Sequence, residues 1–216
     1  MQNVKNYLSL VKFSHTIFAM PFALIGFFLG VKDLGNGSNS NLLIKFILVI
    51  LCMVFARSAA MAFNRYLDRK FDSLNPRTAV REIPAGIITA KNALLFTIIN
   101  CVLFVAATFF INPLCFYLSP IALFIILFYS YTKRFTALCH LVLGLGLSLA
   151  PIGAYIAVTG EFAWVPLMFS FAVIFWVSGF DIIYSLQDVE FDADNKLHSL
   201  PVRLGKKNAL LLSSIL

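Results

Sequence analysis

Asn64, Asp68 and Asp72 recur at four-residue intervals near the end of one apolar run, and Asp181, Tyr184, Asp188 and Asp192 close another. Positions four apart share one face of an α-helix, so each series should project as a stripe of side-chain oxygens rather than as scattered surface charge. Two facing stripes would make a cage for a hard divalent cation. Mg²⁺ in particular is commonly held by one or two carboxylates together with substrate phosphates. The side-chain oxygens of the two series are therefore candidate metal ligands, and the chemistry they point to is that of a diphosphate.

Carboxylates alone would repel a diphosphate, and its leaving group gains negative charge as the bond to carbon breaks, so cationic contacts are needed beside the metal. Lys133 and Arg134 close a further apolar run just after Tyr129 and Tyr131. The spacing of Tyr129 and Lys133 puts an aromatic ring and a cation on one helical face, which suits an allylic cation and its diphosphate respectively. Arg65, Arg69, Arg77 and Arg81 lie near the first acidic series, where basic residues can also anchor anionic lipid. Arg57 stands seven residues before Asn64, and Asp181 seven before Asp188, which is about 10 Å deeper along a helix. At that depth an ionisable group faces a cavity or a partner. One reading is a buried ion pair fastening two helices. The other places both beside an acceptor substrate, with Arg57 set for a carboxylate.

These residues need long helices to carry them. Of the 216 residues 60% are hydrophobic and 12% charged, too little polar material to coat a soluble globule. Apolar stretches at about 13–31, 42–63, 93–111, 114–131, 138–159 and 163–185 each approach the ~20 residues that span a bilayer core. The expectation is an all-α, multi-pass transmembrane bundle of six helices, with a seventh beginning at Asn208 and the C-terminal helices missing. Lys and Arg cluster before the first span and after the second, fourth and sixth, while the opposite side holds only Lys32 and Lys45. By the positive-inside rule the N-terminus and both acidic series face the cytoplasm, and this orientation accounts for the net charge of +7 without a nucleic-acid partner. No linker divides the chain, so residues 1–216 read as one domain. The acidic series end the second and sixth spans, which suggests two repeated four-helix halves around a central cavity. Cys52, Cys101, Cys115 and Cys139 show no metal-binding spacing and read as core, and His15, alone near the start of the first apolar run, is left out of the site. A tunnel for a lipid tail would draw on the 23 phenylalanines.

The stretch from Arg57 through Asn64, Asp68, Asp72, Asn75-Pro76-Arg77-Thr78 and Arg81 to Pro84-Ala85-Gly86 closely resembles the first signature of the UbiA family of intramembrane aromatic prenyltransferases. Asp181 to Asp192 resembles the second signature, and Ser14-His15, Pro21-Phe22 and the Tyr129/Lys133 pair are similar too. The resemblance implies eight or nine helices around a cavity in a bacterial inner membrane, with cytoplasmic loops closing over Mg²⁺ and a polyprenyl diphosphate. It implies transfer of the prenyl chain to the ring of 4-hydroxybenzoate or a similar aromatic acid in ubiquinone or menaquinone assembly. Asn64, Asp68 and Asp72 would then hold one Mg²⁺, and Asp188 and Asp192 a second. Lys133, Tyr184 and Asp181 would act in catalysis, Asp181 orienting the acceptor or taking up the ring proton, while Arg57, Tyr129, Lys133 and Arg77 would bind substrate. Many members have Asn-Asp where this chain has Asn64-Arg65. The Ala-rich Arg57–Asn64 stretch is also similar to members that prenylate a dihydroxynaphthoate in the futalosine route to menaquinone. A rival from another class, a cation-coupled transporter, would place its acids near the bilayer midplane; here the clusters sit at the helix ends and only Arg57 and Asp181 lie deeper.

Overall fold

The computed structural model describes residues 2–35 and 41–216, with residues 2–3 and 13–18 by backbone alone, so the His15 side chain lies outside the described residues. Each apolar stretch becomes a helix: α2 (Phe13–Leu34), α3 (Leu42–Leu74), α4 (Ala90–Ile111), α5 (Pro113–Thr132), α6 (Cys139–Thr159) and α7 (Trp164–Ser185). A short α1 (Gln2–Leu10) precedes them, and α8 (Val189–Asp194) and α9 (Leu200–Ile215) follow. No strand occurs among the described residues, and five of their helices are long and apolar enough to cross a membrane. The chain is an all-α integral membrane protein.

The helix ends follow from local chemistry. Thr89 accepts from the Asn92 amide at 3.2 Å to start α4, and Asn112 accepts from the Cys115 amide at 2.8 Å to start α5, with Pro113 in the first turn. Gly160 stops α6 in the left-handed region, at φ 78°. Three boundaries differ from the sequence reading. α3 does not stop near residue 63 but continues to Leu74, so the whole first acidic series rides on one helix. The last helix begins at Leu200 rather than Asn208, capped by Ser199 and broken at Gly205 (φ 78°, ψ 158°). The second acidic series is not one helix face. Asp181 lies on α7, Asp188 ends a single 3₁₀ turn (Leu186–Asp188), and Asp192 sits on α8, because the tighter turn re-aims the chain between them.

Helix α6 lies at the centre, touching α2, α3, α5 and α7. Between lipid-facing helices, association depends on close backbone approach, which small residues permit. Gly26 and Gly30, one turn apart on α2, face α6: a methyl on Gly26 would fall 1.9 Å from the Pro151 carbonyl oxygen, and one on Gly30 would meet Val158 at 2.8 Å. Gly144 does the same between α6 and α7, where a methyl would lie 2.5 Å from the Ile174 oxygen. Ala23, Phe27, Val49, Ala154, Ala157 and Val158 form the core of this packing. At the end of the bundle away from the acidic series, Lys45 donates to the Val158 carbonyl at 2.8 Å and Asn112 to the Ile156 carbonyl at 2.8 Å, so polar groups there are satisfied by carbonyl oxygens of the last turn of α6.

Candidate functional site

The two acidic series meet at one end of the bundle, and the turn between α5 and α6 stands between them. Lys133 and Arg134, adjacent in sequence, reach opposite ways: Lys133 Nζ lies 2.8 Å from Asp192 Oδ1, and Arg134 Nη2 lies 3.2 Å from Asp68 Oδ1. Arg134 also donates to the Leu67 carbonyl at 2.9 Å and stacks over Phe71 and Tyr131. The amide of His198 donates to the Lys133 carbonyl at 2.7 Å, which ties the segment after α8 to the same turn.

The loop from Asn75 to Thr89 closes the other side. Asn75 is buried; its Oδ1 accepts from the Arg77 amide at 3.0 Å while its Nδ2 donates to Asp188 Oδ1 at 3.1 Å. Arg77 grips Asp188 through Nε, at 3.0 Å, and through Nη2. Burial opposes the charge on Arg77, but its hydrogen bonds to Asp188 outweigh that and hold its pKa above the ordinary value. Arg81 Nη1 stands 2.7 Å from Asp72 Oδ1, and the buried Arg65 lies 4.0 Å from Asp72 Oδ2. The loop is itself held down by α1, where Ser9 Oγ donates to the buried Glu82 at 2.5 Å.

Each expected metal ligand is therefore present at the site, yet each carboxylate faces a cation rather than its fellow acids. Among the described residues, no three His, Cys, Asp or Glu side chains converge as a metal cage. Four carboxylates repel one another, and the surrounding guanidinium and ammonium groups draw them apart. A divalent cation nevertheless fits the donor set. Asp72 Oδ2 and Oδ2 of the fully buried Asp192 have no hydrogen-bond partner among the described residues, so hard oxygen donors remain unsatisfied in an enclosed place, while Asp192 Oδ1 is held by Lys133. Asn64 donates to Asp68 Oδ2 at 3.0 Å, which leaves its own side-chain oxygen as a further donor to a cation.

Behind the acids lies an apolar cavity of about 200 Å³. Its walls run along α3 from Val49 to Ala60, along α5 from Cys115 to Tyr129 and along α6 from Leu143 to Ala157, with alanines and glycines supplying much of the space. Arg57 and Tyr129 line it at the acidic end. Arg57 Nε is buried without a hydrogen-bond partner among the described residues, and the buried ion pair with Asp181 does not form. Asp181 instead meets His140: Nδ1 of the imidazole lies 2.7 Å from Asp181 Oδ2. Tyr129 lies within electrostatic reach of Arg57, Asp68, Asp181 and Arg65, so the aromatic ring joins the deep residues to the first acidic series. Tyr184 sits elsewhere. It is half-exposed, does not line the cavity, and supports Arg77 through its ring face and a 3.4 Å contact from Arg77 Nη1 to its hydroxyl. Tyr129 and Lys133 also divide the labour differently from the single shared face expected: the ring turns into the cavity while Lys133, just past the end of α5, turns to Asp192.

Sequence reasoning missed His140, Asn75 as a bridge, and Glu82. His140 is 41 positions from Asp181 and carries no spacing signal, whereas Asn75 belongs to the first signature stretch but nothing local names Asp188 as its partner.

This arrangement agrees with comparison to known proteins. The family model for the UbiA prenyltransferase family matches residues 19–216. A 4-hydroxybenzoate octaprenyltransferase of Tolumonas auensis is 33% identical over 168 residues, covering 77% of this chain and 59% of the relative. One of Vibrio campbellii is 33% identical over 174 residues, covering 80% and 60%. The chain thus spans about three-fifths of the length of these curated relatives. The structure of a UbiA homolog from Aeropyrum pernix K1 superposes with a TM-score of 0.82 at 35% identity, over 93% of this chain and 73% of that one. A UbiA homolog from Archaeoglobus fulgidus bound to GPP and Mg²⁺ gives a TM-score of 0.76 at 25% identity, over 97% of this chain and 72% of that one. The chain belongs to the UbiA prenyltransferase family.

Proposed function

We propose that this chain, acting as a single domain, transfers a polyprenyl group from a polyprenyl diphosphate to the ring of 4-hydroxybenzoate or a similar aromatic acid, for quinone assembly. The observation that carries the proposal is the placement of Lys133 and Arg134 between two acidic groups at the mouth of an apolar cavity that holds Arg57 and Tyr129. The relatives named above as octaprenyltransferases, and the homolog bound to GPP and Mg²⁺, support it. By the positive-inside rule the acidic end faces the cytoplasm, and in a bacterium the membrane is the inner one.

Asp68, Asp72, Asp188 and Asp192, with Asn64, would hold Mg²⁺, which when bound supplies charge neutralisation for the diphosphate. The protein's own groups do the rest. Lys133, Arg134 and Arg77 are cations within reach of the same carboxylates and offer hydrogen bonds to phosphate oxygens. The cavity walls hold the prenyl tail and keep water from the allylic carbon as its bond to the diphosphate oxygen breaks, the electron pair leaving with the diphosphate. Tyr129 presents an aromatic ring where positive charge develops. Arg57, whose Nε has no partner among the described residues, holds the acceptor's carboxylate. A π electron pair of the acceptor ring forms the new carbon–carbon bond; the ring C–H bond then breaks, its electrons restore aromaticity, and the proton passes to a base, a role we assign to Asp181.

The test is transfer of a radiolabelled prenyl diphosphate in membranes carrying the chain, with 4-hydroxybenzoate and a dihydroxynaphthoate offered separately. Labelled product with 4-hydroxybenzoate supports the reading. Product with the dihydroxynaphthoate alone moves the acceptor to the futalosine route, and product with neither overturns the assignment.

A further inference from the structure

His140 is 2% exposed, one residue into α6, and its two ring nitrogens are committed in different directions. The backbone N–H of Leu200, in the first turn of α9, points at Nε2 at 3.3 Å. An amide N–H can only donate, so Nε2 carries the lone pair, and the ring proton belongs on Nδ1. Nδ1 is the atom 2.7 Å from Asp181 Oδ2. The ring itself is pinned from the backbone side, since Ser178 Oγ, one turn before Asp181 on α7, donates to the His140 carbonyl at 3.1 Å. Nearby, Cys139 Sγ contacts the His198 carbonyl at 3.6 Å. Three elements, α6, α7 and the start of α9, thus converge on one imidazole.

Resting on the reading of Asp181 as the acceptor-side acid, we infer that His140 is a positioning residue: locked by Leu200 with its proton on Nδ1, it donates to Asp181 Oδ2 and fixes that carboxylate's orientation toward the acceptor. A carboxylate on a free rotor would present either oxygen in many directions. Tethering Oδ2 sets where Oδ1 points, and misplacement of a reacting group by about 1 Å costs on the order of 100-fold in rate. The burial of the imidazole, with both ring nitrogens committed, fits this role better than simple helix glue, for which two apolar side chains would serve. It also makes the reaction depend on α9, whose first turn supplies the amide that selects the tautomer.

Two variants separate positioning from bulk packing. His140→Asn places its amide nitrogen where Nδ1 stood and keeps the donor to Asp181; His140→Gln places its amide near Nε2 and loses it. The expected result is that H140Q lowers kcat by about 10- to 100-fold, with the KM for prenyl diphosphate unchanged, and that H140N recovers most of the loss. Equal losses in both variants accompanied by a raised prenyl-diphosphate KM, or no loss in either, would overturn the inference. Independently of turnover, ¹⁵N NMR of labelled histidine in the detergent-solubilised protein, assigned by difference with H140N, should show a neutral ring protonated at Nδ1 whose resonance moves in Asp181→Asn. A ring protonated at Nε2, or one indifferent to Asp181→Asn, contradicts it. Absence of any product from the wild type would count against the proposed function, while the NMR result would still decide the role of His140.

Discussion

Asn75 Nδ2 donates to Asp188 Oδ1 at 3.1 Å, joining the residue just past the end of α3 to one 113 positions later, beyond α7. This contact, with the Arg77–Asp188 pair beside it, makes the loop between α3 and α4 a roof over the second acidic group rather than an appendage of the first. The two acidic series are therefore brought together at one end of the bundle from distant stretches of the sequence.

One consequence concerns metal. Stripping divalent cations with EDTA should abolish prenyl transfer, and added Mg²⁺ should restore it, because four carboxylates beside a diphosphate repel it unless a cation intervenes. Undiminished transfer after chelation would remove the metal from the account.

Lys133 should bind the diphosphate and not the acceptor. A hydrogen bond to a charged group is worth about 1.5–3 kcal/mol, so Lys133→Ala should raise the prenyl-diphosphate KM by roughly 10- to 150-fold and leave the acceptor KM nearly unchanged. Steady-state kinetics with each substrate varied in turn will show which constant moves.

Arg57 should recognise the acceptor's carboxylate from within the cavity. Arg57→Ala should raise the acceptor KM by at least about 10-fold, and the methyl ester of the acceptor, which lacks the charge, should distinguish poorly between wild type and variant. Equal losses with acid and ester would assign Arg57 to packing.

Much of this site was legible from residue types. A membrane demands uninterrupted apolar helices, so the spans from α2 to α7 showed in composition, and acids at the ends of such helices stand out because burial makes them costly. What stayed hidden depends on tertiary contact. Nothing local marks His140 as the partner of Asp181, since the pairing exists only because α6 and α7 pack through Gly144 and Ser178. The break between Asp181 and Asp192 was equally invisible: four-residue spacing fits one helix face and also fits a helix, a 3₁₀ turn and a second helix in series. Tyr184 shared the motif's spacing, but its hydroxyl meets Arg77 from the loop between α3 and α4, a tertiary contact that no local spacing shows.

Packing at the α2–α6 contact gives a stability prediction. Gly26→Ala must push the Pro151 backbone away from a 1.9 Å approach, and should destabilise the protein by about 1–3 kcal/mol. Gly153→Ala, where a methyl meets nothing within 4 Å, should leave stability unchanged. Thermal unfolding of the two variants in detergent, side by side, checks the pair.

The most direct test of the central claim, that both acidic groups form a single metal and diphosphate site, is the transfer rate of Asp68→Ala, Asp188→Ala and the double variant under saturating Mg²⁺. The account predicts a loss of about 100-fold or more in each single variant, thermal stability close to wild type, and a double variant little worse than either, because residues acting as one unit are not additive. Full activity in either single variant, or losses that multiply in the double, would contradict it.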